Sequence, residues 1–126
     1  MLMRSLALLA DSHVEPTATA SGTVTGTNGS ALSGQEIIIT LSDGTFTGLS
    51  ESQDVAIWIT NLTDAGSALT ATIKAGYSDG QNSLTIEING TPDQTTSNAI
   101  SIEIPQANVN GATGNVTADG ANFAIS

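Results

Sequence analysis

Cysteine is absent from this 126-residue chain. That excludes a disulfide framework and any thiolate metal centre, so stability has to come from a hydrophobic core. Basic residues are almost as scarce. Arg4 and Lys74 alone oppose twelve carboxylates, a formal charge of −10, and a surface of that sign repels phosphate backbones and anionic lipid. The expectation is therefore a protein that binds neither nucleic acid nor membrane surfaces. The single histidine, His13, lies near the amino terminus. A Ser-His-Asp relay or a histidine metal site would have to be built around that one residue. No apolar run approaches the roughly 20 residues of a membrane span.

What the chain does have is threonine (18), serine (14), glycine (13) and asparagine (9), set among Ile, Val, Leu and Ala. β-branched residues interleaved with turn formers describe short strands. From Ser21 onward the hydrophobic period is two. Ile37, Ile39 and Leu41 alternate with Glu36, Ile38 and Thr40; Leu69, Ala71 and Ile73 alternate with Thr70, Thr72 and Lys74. Leu84, Ile86 and Ile88, then Ile100, Ile102 and Ile104, follow the same rule, with Pro105 closing the last run. Each is expected to be a half-buried strand. Val55, Ile57 and Ile59 form a further inward set that leaves Trp58 on the outer face unless a bulge redirects it. Thr23 to Thr27 is expected to open the sheet, and Ala121, Phe123 and Ile125 to close it. Ser42-Asp43-Gly44, Asp64-Ala65-Gly66, Ser78-Asp79-Gly80, Gly90-Thr91-Pro92-Asp93 and Asn110-Gly111 supply the turns. About seven short strands with frequent turns point to an all-β sandwich at residues 21–126.

Residues 1–20 read differently. Leu2, Met3, Leu6, Leu9 and Ala10 fall on one side of a helix of about three turns. Such a helix is marginal alone and needs an accepting surface. With Pro16 and the Thr/Ala stretch after it, the segment reads as an assembly arm and tether whose removal leaves the sandwich folded. Its apolar stretch is shorter than the roughly 7 to 15 residues of a secretory h-region, and Asp11, Ser12, His13 and Glu15 interrupt it before Ala18-Thr19-Ala20.

The ordered set Thr23-Val24-Thr25-Gly26-Thr27-Asn28-Gly29, Ile37-Ile38-Ile39-Thr40-Leu41, Val55, Trp58-Ile59-Thr60-Asn61-Leu62 and Leu69-Thr70-Ala71-Thr72 resembles an immunoglobulin-like repeat of bacterial surface proteins. Gly90-Thr91-Pro92, Ala99-Ile100-Ser101-Ile102, Ile104-Pro105 and Asn122-Phe123-Ala124-Ile125 continue the resemblance, which covers roughly residues 21–126. Where the repeat usually has a short Pro/Ala/Gly turn, this chain has Thr63-Asp64-Ala65-Gly66-Ser67. Related domains occur in phage virion proteins. The resemblance implies an immunoglobulin-like β-sandwich and a structural or adhesive module, with no catalytic residues and no cofactor to carry over.

Several residues remain to be weighed for chemistry. Asp79-Gly80-Gln81-Asn82 and Asp43-Gly44 offer oxygen atoms, but neither has the spacing of a dedicated Ca²⁺ loop, and a turn is the better reading. Glu36, Glu87 and Glu103 sit at outward strand positions, where solvated faces explain them better than an acid/base pair in a cleft. Trp58 and Tyr77 are the aromatics that would stack on a surface glycan or a protein partner if exposed; for Trp58 a place in the core is the stronger expectation. These readings describe a non-enzymatic, acidic module. Its first expected setting is the virion surface, as a capsid decoration or fibre component docking or homo-oligomerising through Leu2, Met3, Leu6 and Leu9. The alternative is a spacer or adhesive repeat of a secreted cell-surface protein, and the third a carbohydrate-binding accessory module. A chain that opens on Met without an export signal agrees with the first setting.

Overall fold

A computed structural model describes residues 13–126; the assembly-arm residues Leu2, Met3, Leu6 and Leu9 lie outside them. The described chain is all-β. Eight strands follow one another as β1 (Thr17–Ser21), β2 (Thr23–Gly26), β3 (Gln35–Ser42), β4 (Thr70–Ile73), β5 (Ser83–Asn89), β6 (Ile102–Ile104), β7 (Val116–Asp119) and β8 (Asn122–Ile125). Three single 3₁₀ turns, Ala56–Trp58, Leu62–Asp64 and Gln106–Asn108, lie between them.

Six strands form one curled, mixed sheet in the order β4-β5-β3-β1-β7-β6, and β2 pairs with β8 beside it. The alternation fixes the inward faces. Ile37, Ile39 and Leu41 of β3 are buried while Ile38 and Thr40 are exposed. Leu84, Ile86 and Ile88 of β5 are buried in the same way, with Ile37 directly opposite Ile86 and Ile39 opposite Leu84. Ile102 and Ile104, Val116 and Ala118, and Phe123 and Ile125 complete a single apolar cluster. No polar or charged residue is buried among the described residues. The core therefore incurs none of the desolvation cost of a buried ionised or unpaired group.

The amino-terminal boundary of the domain lies earlier than the sequence indicates. Thr17 to Ala20, expected in the tether, belong to β1, an interior strand paired antiparallel with β3 from Thr17↔Ser42 to Ser21↔Ile38 and parallel with β7 at Ala18↔Ala118. A run such as Thr-Ala-Thr-Ala-Ser carries only methyl-sized inward groups, and it escapes a reading that looks for Ile, Leu and Val. Its neighbours supply the bulk instead. β7 is similarly weak in local signal, because its inward residues are only Val116 and Ala118.

Val55 to Ile59 also departs from the expected alternation. Instead of a strand, Ala56–Trp58 forms a 3₁₀ turn, in which residues three apart lie on the same side. Val55 and Trp58 are consequently both buried, Ile59 after them is buried too, and Ile57 is left 86% exposed. Ile59 re-enters the β network through a bridge to Ile102. The loop after Asn61 forms the 3₁₀ turn Leu62–Asp64, with Ala65 buried behind it. Pro105 does end its strand, leading directly into the 3₁₀ turn Gln106–Asn108.

The kink between β1 and β2 falls at Gly22 (φ 117°), and that between β7 and β8 at Gly120 (φ 125°). Both angles are costly for residues with a β-carbon. A β-carbon at Gly22 would stand 2.6 Å from the Glu36 carbonyl oxygen, and one at Gly120 would collide with the Ala20 carbonyl. These two corners let the β1–β2 and β7–β8 stretches stay paired with each other while both turn.

The registers also place the loops. The turns after β3, between β4 and β5, and between β6 and β7 share one end with the start of β1, where Phe46 bridges Val109 and Asn110 N–H donates to the Thr45 carbonyl. At the opposite end, Asn28 N–H donates to the Ser126 carbonyl, Gly29 N–H to that of Pro92 and Leu32 N–H to that of Gly90. The described chain thus enters at one end and leaves at the other.

Candidate interaction surface

At the entry end, Tyr77 and Asp79 organise the loops. Asp79 is anchored in the turn between β4 and β5, and its carboxylate accepts hydrogen bonds from Gly48 N–H (3.1 Å), Leu49 N–H (3.1 Å) and the Tyr77 hydroxyl (2.6 Å). The Tyr77 hydroxyl bond, followed by the two backbone donors, holds the Asp79 carboxyl below its usual range. Burial, and next the bond to Asp79, pushes the Tyr77 phenol well above its usual value. Both oxygens of Asp79 are thus committed to protein donors, so the Asp79-Gly80 turn is a brace between two loops. Among the described residues no three His, Asp or Glu side chains converge as a metal site would require.

The sign of each shift sets its pH window. The depressed Asp79 pKa contributes stability above the unfolded carboxylate value, and this is lost as pH falls through the folded value. The raised Tyr77 pKa contributes below the unfolded phenol value, and this is lost as pH rises through the folded one. Tyr77→Phe removes the shortest of the three bonds without opening a cavity. Its expected cost is about 1 kcal/mol, read by urea denaturation at pH 7, with the alkaline loss of stability reduced in parallel. An unchanged midpoint would mean that the brace contributes nothing.

Beside this brace runs a polar groove of about 780 Å³, lined by Thr45, Lys74, Tyr77, Gln81, Asn82 and Thr85 among others. A smaller recess of about 440 Å³ lies at the exit end, formed by Thr95 to Ser97 and Ala124 to Ser126. Trp58 contributes to neither. At 3% exposure its indole is a core side chain, so the stacking face that the sequence allowed is not offered. Tyr77 lines the groove, but its ring is mostly buried and its hydroxyl is bound to Asp79.

The outward face of the sheet carries Glu36, Glu87 and Glu103. Glu36 stands directly opposite Glu87, a like-charge pair that by itself destabilises. Lys74 relieves it by an ion pair with Glu36. The hydrogen bond and the charge of Glu36, with a smaller contribution from Glu87, raise the Lys74 pKa. Glu103 lies on the same sheet but across β1 and β7 from that pair, and it accepts from the Asn115 amide at 2.8 Å. The three carboxylates do not converge.

His13, exposed, pairs with Glu15 at 3.2 Å. Glu15 in turn accepts from Thr113 N–H and Thr113 Oγ1, both at 2.9 Å. These Thr113 donors, with His13, hold the Glu15 carboxyl below its usual range. Pro16, buried, packs near Gly44 and Gly111. The chain is therefore fastened at its point of entry to the turn between β6 and β7, a contact across 98 residues that no local pattern reveals.

Fold and surface together define an all-β domain with an apolar core, braced loops and an acidic exterior. No protein-family model, curated protein or solved structure matches the chain.

Proposed function

We propose that this chain is a non-enzymatic immunoglobulin-like structural module, attached through the segment preceding His13 and holding its opposite end away from the point of attachment. One observation carries the reading: the chain enters beside Thr113, at the same end as the Asp79 brace, and Ser126 lies at the far end of the same strands. The immunoglobulin-like assignment is supported by the strand order. β4-β5-β3-β1-β7-β6 make one curled sheet, and after Gly22 the chain continues as β2, which runs parallel to β8 in a second sheet. The bridges Ala99↔Asn122 and Thr96↔Ile125 extend the second sheet, and Ile59↔Ile102 extends the first beyond β6. This is the arrangement expected of two sheets sharing one core.

The setting favoured by the amino-terminal sequence pattern is a virion surface, where Leu2, Met3, Leu6 and Leu9 would dock on a shell protein or on further copies of the chain. The second reading, a spacer repeat in a secreted cell-surface protein, draws on the same end-to-end geometry, since modules in series need an entry and an exit at opposite ends. The glycan reading keeps only Tyr77.

Light scattering over a concentration series, on the full chain and on a chain starting at His13, separates the two settings. An oligomer that becomes a monomer on truncation supports docking through the amino-terminal segment. Monomers in both cases favour the spacer.

A further inference from the structure

We infer that the joint through which the domain is attached is stiff, so that the module stands at a set angle to whatever the segment before His13 binds. The inference rests on the structural-module reading above and adds how the module is oriented.

The stiffness begins in the covalent chain. Proline fixes its own φ at about −65° and confines the residue before it to extended backbone, so Glu15-Pro16 has little freedom even before it meets the domain. Pro16 leads directly into β1, an interior strand. Its ring is buried beside two glycines. A β-carbon on Gly44 would stand 2.8 Å from Pro16 Cβ, and one on Gly111 3.6 Å from Pro16 Cγ. The first distance leaves no room for a side chain, and the seat exists because residue 44 is glycine. The loops that carry the two glycines are bound to each other. Phe46 bridges Val109, Asn110 N–H donates to the Thr45 carbonyl (2.9 Å), and Asn110 Nδ2 donates to Thr45 Oγ1 (3.1 Å).

One residue earlier, Glu15 grips the neighbouring turn. Its Oε1 accepts from Thr113 N–H and its Oε2 from Thr113 Oγ1, both at 2.9 Å, and His13 Nε2 lies 3.2 Å from Oε2. Hydrogen bonds to an ionised carboxylate are the stronger kind, and two from one residue fix its direction as well as its distance. Thr17 is already in the ladder opposite Ser42. Residues 15, 16 and 17 are thus held in succession by a carboxylate, a ring and a ladder. A swinging tether needs free rotation at these positions, and each is taken up. Such preorganisation lowers the ordering cost when the preceding segment binds.

Because the fastener is a carboxylate, acid releases it. The turn between β6 and β7, residues 106–115, has no titratable side chain; His13 lies on the same segment as Glu15, and the loop after β3 contributes Asp43, whose carbonyl oxygen lies toward Gly111. The Thr113 bonds hold the Glu15 carboxyl below its usual range. The joint is therefore fastened above that range and loosens as pH falls through the folded value.

NMR relaxation of backbone amides in the full chain tests this, with Thr19 of β1 as the internal reference. At neutral pH the Val14 amide is expected to show the order parameter of rigid backbone, about 0.85. Glu15→Ala should bring it below about 0.6, the flexible range, while Thr19 and the cooperative melt stay unchanged. In the unaltered chain, acid should loosen Val14 in step with the titration of the Glu15 carboxyl, read from its side-chain carbon shift, and ahead of any change at Thr19. Three results would overturn the stiff joint: a Val14 already flexible at neutral pH, a Glu15→Ala variant as ordered as the parent, or Val14 and Thr19 loosening together in acid. The module reading would survive each of them, because it is judged by light scattering.

Discussion

A chain lacking residues 1–20 is expected not to fold, whereas a chain lacking residues 1–12 keeps every contact described for the domain. The sequence alone places both cuts within a dispensable arm. The structure separates them, because residues 17–21 are a strand with partners on both sides. Removing it strips the ladder from β3 and from β7 at once and unlinks the two halves of the six-stranded sheet. Ladder bonds contribute about 1 kcal/mol each, so their combined loss, with Ala20 and Pro16 unburied, approaches the whole 5–15 kcal/mol, roughly, that holds a domain together. The Glu15–Thr113 bonds go with it. Far-UV circular dichroism during heating distinguishes the two truncations. A cooperative transition in the shorter chain would show that β1 is dispensable and that the sheet tolerates a gap at its centre.

Ile102→Asp is expected to abolish the cooperative transition, and Ile57→Asp to leave it nearly intact. Ile102 is 1% exposed and sits between Ala118 of β7 and the bridge to Ile59. A carboxylate there loses its hydration without gaining a partner, a cost of several kcal/mol even if it binds a proton. Ile57 belongs to a run that alternation assigns inward, yet the 3₁₀ turn leaves it 86% exposed. A surface substitution of that kind changes stability by no more than about 0.5 kcal/mol. Thermal melts of the pair therefore test the core and the corrected register together. If Ile57→Asp proved as damaging as Ile102→Asp, the region around Trp58 would be a strand with Ile57 turned inward.

The parts of the domain legible in the sequence are those whose signal is local. Ile37, Ile39 and Leu41 alternate with polar residues because successive strand side chains point to opposite faces, and the inward set is fixed before any partner strand is known. The same holds for Leu84, Ile86 and Ile88, and for Phe123 and Ile125. Turn chemistry at Asp79-Gly80 and Asn110-Gly111 is equally local. The acidic exterior follows from composition, since no solvation is available in an apolar core for twelve carboxylates.

Only tertiary structure decided the rest. Thr17 to Ser21 has no large apolar residue, and it becomes an interior strand because β3 and β7 leave a gap whose ladder groups need partners. Trp58 turns inward because a 3₁₀ turn substitutes a period of three for a period of two. The choice between those periods depends on how Ile59 reaches Ile102, 43 positions along the chain by its numbering. Asp79 holds two backbone N–H groups and a phenol because the loop containing Gly48 and Leu49 folds over it, a contact across about thirty residues. The parallel pairing of β1 with β7 and of β2 with β8 depends on both ends of the chain at once. Alternation tells each residue which side to face, and the partner on that side is selected by what the remainder of the chain leaves unpaired.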